Sequence, residues 1–241
     1  SGCTKAVNIF SSGLEPAFGN MIAKGEKEVL RKRVALCSTI TIQTAIVLFS
    51  TAALVVSPFI RIYSRGVTDV NYLRPAFGVV MLIAEAFYCL RLPYQAAVYA
   101  AGHFRQTRNG AIIEAGINVL MSVILVFRFG LIGVAVGTLA AMLFRTLQYI
   151  WYYHEKLIEN RKGLKEEAVR AGISALEIAL IVLVSRWLPE VSSAGYLPWF
   201  LGSCLVGLGC TLLVGAVSLV FYRSECVELF RFAKRILKRN R

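Results

Sequence analysis

At 241 residues, with 57% hydrophobic and only 17% charged side chains, this chain is far more apolar than a soluble domain of its size. Such a domain carries roughly 45–50% apolar and about 25% charged residues. The formal net charge of +13 sits between and after the apolar segments instead of on one soluble face, and no nucleic-acid-binding motif accompanies it, so nucleic acid is not an expected partner.

In chain order, residues 1–22 read as the end of a preceding transmembrane helix, disturbed by Pro16 and Gly19. A transmembrane helix needs about 20 predominantly apolar residues. On that ruler, complete spans are predicted near 35–60, 76–101, 109–127 and 131–153, all within a unit covering 23–160, and then near 172–188 and 197–222 as two additional C-terminal helices. The predicted breaks are Pro58 with Gly66, then Pro75, Gly102, Gly130, Gly163, and finally Pro189 with Pro198. Residues 223–241 form a basic tail in which Val227, Phe230, Ala233 and Leu237 fall on one helical stripe, as in an interfacial helix lying on anionic lipid. The predicted fold class is therefore all-α, a polytopic membrane helical bundle of six complete transmembrane helices plus part of a seventh. Nothing alternates with the period of two that a membrane β-barrel demands.

Lysine and arginine set the orientation. Nineteen lie in alternate loops and the tail (around Lys24–Arg33, Arg105–Arg108, Lys156–Arg170 and from Arg223 onward), against four on the other side (Arg61, Arg65, Arg74, Arg128). By the positive-inside rule the basic loops and the C-terminus are cytoplasmic.

Charged residues inside spans cost roughly 2.5–3.5 kcal/mol each on insertion scales, so each needs a partner or a water-filled cavity. The candidates are Glu85, Arg91, Glu114, Arg145 and Glu177. Gly110, Glu114, Asn118 and Ser122 recur at steps of four, a polar stripe down one otherwise apolar helix. The next span offers Thr138, Arg145, Gln148 and Tyr152, and the preceding one Glu85 with Tyr88 and Arg91 with Gln95, Pro93 permitting a kink. Two readings stand side by side: three polar stripes lining one cavity, or Glu114 and Arg145 pairing across helices as structural glue. Glu177 reads equally as a structural or a functional carboxyl. Gly130, Gly133 and Gly137 are close-packing signals.

The six cysteines, Cys3, Cys37, Cys89, Cys204, Cys210 and Cys226, form no C-x-x-C pair and read as small buried hydrophobes. His103 and His154 are distant in sequence and assigned to loops, so neither a metal site nor a cofactor is expected. No H-E-x-x-H, nucleophile elbow or phosphate-binding glycine loop occurs, and the chain is not read as an enzyme.

Four stretches carry a family resemblance: EPAFGNMIAKGEKE from Glu15 to Glu28, PFIRIYSRGVTDVNYLRP over 58–75, LRLPYQAAVYAAGHFRQTRNGAIIEAGINVL over 90–120 and RFGLIGVAVGTLAAMLFRT over 128–146. In order and spacing they resemble the C-terminal half of the polysaccharide biosynthesis (oligosaccharide flippase) family, within the multidrug/oligosaccharidyl-lipid/polysaccharide exporter superfamily. The resemblance covers about residues 10–160. It implies one lobe of a two-lobe, inverted-V flippase of 12 to 14 helices in the bacterial cytoplasmic membrane, the N-terminal lobe lying outside this chain. It also implies transport of an undecaprenyl-pyrophosphate-linked oligosaccharide to the outer leaflet. On that basis Arg91 and Arg145 are the expected pyrophosphate ligands, with Tyr88, Tyr94 and Gln95 at the sugar hydroxyls, Asn118 beside Glu114 in the substrate site, and Glu85 and Glu114 as an ion-coupling or structural pair. A cation-coupled multidrug exporter of the same superfamily and a non-transporting membrane scaffold are the alternatives.

Overall fold

A computed structural model describes residues 13–66, 74–187, 191–223, 225 and 227. Those residues form seven α-helices and one π-helical turn, with no strand among them. They are α1 (Leu14–Ala23), α2 (Lys27–Tyr63), α3 (Pro75–Ala100), α4 (Phe104–Phe129), α5 (Leu131–Tyr152), the turn Tyr153–Leu157, α6 (Lys162–Ser185) and α7 (Tyr196–Phe221). Helices α2 to α7 are each long and apolar enough to cross a bilayer, α5 together with its π-helical turn. The chain is thus an all-α, multi-pass membrane bundle, as its apolar runs require.

Several boundaries differ from the sequence expectation. Pro58 does not end its span: α2 continues to Tyr63 and is 37 residues long, about 55 Å at 1.5 Å per residue. Proline removes one backbone donor and frees a carbonyl on the turn before it. The carbonyl freed is that of Leu54; at its neighbour Val55, Trp199 of α7 donates its indole N–H to the carbonyl (3.0 Å) and packs its ring 4.9 Å from Phe59. Pro198 sits in the first turn of α7, where a missing N–H is harmless. Gly163 lies inside α6, which begins at Lys162, ten residues before the predicted span. Arg170 consequently rides on a helix, buried, instead of in a loop.

The helices pack out of chain order. Helix α5 lies against both α3 and α4, α3 against α2, and α2 against α6 and α7. The α3–α4 connection turns through Gly102 at φ +73°, a left-handed conformation open to glycine at little cost. Close packing of α5 on α4 depends on two of the three glycines picked out in the sequence. A Cβ on Gly133 would overlap the Leu125 backbone, and one on Gly137 would meet the Ser122 backbone N at 2.7 Å. Gly130 instead serves the α4–α5 turn at φ +58°.

Outward faces are apolar. Phe127, Leu205 and Val220 are among many large hydrophobic side chains left open, as lipid-facing surfaces are. Cys37, Cys89 and Cys210 are buried free thiols, whereas Cys204 is exposed on α7, contrary to its reading as buried. The predicted tail stripe at Phe230, Ala233 and Leu237 lies outside the described residues.

Candidate functional site

A cluster of charged side chains joins α3, α4 and α5. Glu114 reaches both arginines: its Oε1 lies 2.8 Å from Arg91 Nη1 and its Oε2 3.4 Å from Arg145 Nε. The three side chains are 20%, 11% and 6% exposed. All three lie about 10–15 Å, counted along their helices, from the ends that carry the most basic loops.

Arg145 is held on every side. Its Nη1 donates to the Thr107 carbonyl (2.9 Å) and to Gln148 Oε1 (2.7 Å), and its Nη2 to Tyr149 Oη (2.8 Å). The guanidinium also stands 4.4 Å from the centre of the Tyr149 ring, and the Tyr149 hydroxyl donates to Tyr99 at 3.2 Å. Reaching the α4 backbone at Thr107 requires a gap in that helix. Gly110 supplies it, because a Cβ there would overlap the side chains of Gln148 and Arg145.

Arg91 is held more loosely. It donates to Glu114 and stacks 4.5 Å from the centre of the Tyr88 ring, while its Nε is buried without a hydrogen-bond partner. Gln95, one turn on, has a carbonyl oxygen in the same condition. A buried, under-satisfied guanidinium beside an under-satisfied amide is an arrangement able to accept an anion with hydroxyl groups next to it.

Of the sequence-predicted residues, Arg91, Glu114, Arg145 and Tyr88 come together. The pairing of Glu114 with Arg145 proposed as structural glue is present, and Arg91 shares it. Asn118 lies one turn along α4 and accepts from Ser122 (3.2 Å), which also approaches the Val134 carbonyl of α5. Glu85 is half-buried on α3, two turns from Arg91. Thr107, Tyr99 and Tyr149 escaped the sequence reading. Thr107 contributes its backbone, which carries no side-chain signature, and the tyrosines sit among apolar neighbours that hide them.

A second polar cluster lies nearer the basic-loop end. Tyr94 and Ser38 share a hydrogen bond (2.8 Å), Arg170 donates to Glu167 (2.7 Å), and His154 Nε2 stands 3.6 Å from Glu167 Oε1. His154, assigned to a loop from sequence, is buried in the π-helical turn with Gly163 of α6 against its ring. No group of three or more metal-ligating side chains occurs among the described residues.

Known protein families and curated proteins offer no match to this sequence.

Proposed function

We propose that this chain is one lobe of a bacterial membrane flippase that moves an undecaprenyl-pyrophosphate-linked oligosaccharide from the inner to the outer leaflet of the cytoplasmic membrane. The single observation that carries the reading is the Arg91–Glu114–Arg145 triad within the spanning helices. Two guanidinium groups share one carboxylate, so the triad holds an excess positive charge at a depth where charge is expensive. A pyrophosphate is a fitting counter-charge, and arginine meets phosphate oxygens through paired N–H donors.

In this reading Arg91 is the ligand and Arg145 the fixed counterweight. Arg145 already spends its donors on Thr107, Gln148 and Tyr149, whereas Arg91 has a donor to spare. An arriving pyrophosphate competes with Glu114 for Arg91, and Glu114 stays with Arg145. Gln95 and Tyr88 flank the sugar, and Asn118 continues the lining along α4. A second lobe, outside this chain, closes the cavity, in keeping with the two-lobe plan of many transporters. Anionic lipid meets the basic cytoplasmic loops.

A drug exporter with Glu114 as its cation-binding carboxylate is less well served, because both Glu114 oxygens face guanidinium groups. A scaffold makes no use of an under-satisfied arginine.

The test is complementation in a strain lacking the full-length protein. Arg91→Ala at normal membrane abundance should abolish surface polysaccharide, and Arg91→Lys should restore part of it. Undiminished polysaccharide in Arg91→Ala would sink the assignment, and sensitivity to cationic drugs without polysaccharide loss would favour the exporter.

A further inference from the structure

Glu177 stands apart from the triad, on α6, and the flippase reading leaves it unused. Its residue is 0% exposed, and neither carboxyl oxygen has a hydrogen-bond partner among the described residues. It is fifteen residues into α6 and eight before its end, well inside a helix able to span the bilayer. One turn further along α6, Ile181 belongs to the apolar core formed with Ile46 of α2 and Cys210 and Val214 of α7.

Two other buried polar side chains lie near the carboxyl. Gln43 of α2 lies beside it with both amide atoms buried, and Tyr222 at the end of α7, 5% exposed, lies within its electrostatic reach. Among the described residues, Arg170 and Glu167 of α6 and Glu225 act on Tyr222. Arg170 already pairs with Glu167 at 2.7 Å, so no basic side chain forms an ion pair with Glu177 among the described residues.

A carboxylate in such surroundings does not persist as a bare anion; it is neutralised by a counter-charge or by a proton. The Gln43 amide beside it offers a neutral oxygen to a cation held by the carboxylate. We propose that Glu177, with Gln43 beside it, forms a membrane-embedded site for one small monovalent cation, a proton or a sodium ion. The site lies between α2, α6 and α7, separate from the Arg91–Glu114–Arg145 triad, and it gives the bundle an ion-dependent state that is independent of which substrate the triad takes.

The test uses the full chain in lipid nanodiscs, wild type against Glu177→Gln, with two readouts that do not involve transport. Infrared spectra in H2O and D2O report a protonated carboxyl through its C=O band, and loss of one such band in Glu177→Gln identifies a bound proton. If no band is lost, NaCl should raise Tm relative to choline chloride at equal ionic strength, by roughly 5–10 °C near one hundred times the dissociation constant. Loss of that rise in Glu177→Gln identifies sodium. Should Glu177→Gln fail to fold, Gln43→Leu serves instead: it keeps the carboxyl but removes its amide neighbour, and should shift the C=O band or weaken the sodium response. A band and a sodium response both unchanged in the folded variant overturn the proposal.

Discussion

Glu114 Oε1 accepts a 2.8 Å hydrogen bond from Arg91 Nη1, tying α4 to α3 across the flank of α5. The other oxygen of the same carboxylate holds Arg145 at 3.4 Å, so one side chain fixes three helices at a common depth.

Removing that carboxylate strands two cations. Glu114→Gln should destabilise the bundle by about 3–5 kcal/mol, the usual penalty for leaving a buried partner uncompensated. A second change, Arg91→Met, should recover part of the loss, whereas Arg91→Met alone costs less than Glu114→Gln. Thermal unfolding of the four proteins in one detergent gives the coupling energy, and additivity of the two changes would contradict the shared-carboxylate arrangement.

Arginine and lysine are not equivalent at position 145. Lysine keeps the charge but cannot reach the Thr107 carbonyl, Gln148 and Tyr149 together with a planar fork. Arg145→Lys is expected to lower stability by about 1–3 kcal/mol, seen as a fall in Tm of several degrees. An unchanged Tm would mean that the fork geometry contributes nothing.

Within the helices, glycines with room for a side chain contrast with glycines without it. Gly116 has open space where a Cβ would stand, while Gly110 and Gly133 do not. Gly116→Ala should be neutral or stabilising by up to about 1 kcal/mol, from helix propensity. Gly133→Ala should be strongly destabilising, because the obstacle at Leu125 is α4 backbone, and Gly110→Ala should displace Arg145 and Gln148. Comparing melting temperatures of the three variants distinguishes close packing from mere flexibility.

Orientation is open to a direct check. In a cysteine-free background, a cysteine at Ser192 should react with a membrane-impermeant thiol reagent on intact cells, and one at Lys156 or Glu166 only after permeabilisation. All three positions are accessible enough to label. The reverse pattern would invert the topology argued from lysine and arginine.

The spans were legible because lipid leaves little choice: some twenty apolar residues in a row have few other uses. Helix ends were less so. Polar residues at a bilayer boundary suit a loop and a helical turn equally, so Lys162–Arg170 read as a loop although they open α6. The triad was half legible. Its charged members stand out against an apolar background, and the four-residue spacing assigns Glu114 to one face. What the pattern did not hold was the order of helices in space, and with it which charges would meet. Glu177 was visible as a charge, but its isolation became apparent only once α2 and α7 closed over it.

The position of α5 between α3 and α4 bears on how the bundle is made. In chain order α3 and α4 come first, joined at Gly102, and between them they already carry the paired charges Arg91 and Glu114. Arg145 arrives later, on a helix with no acidic residue of its own. Its counter-charge lies on a helix made before it, so the docking of α5 between α3 and α4 is what gives the last-made member of the triad its partner.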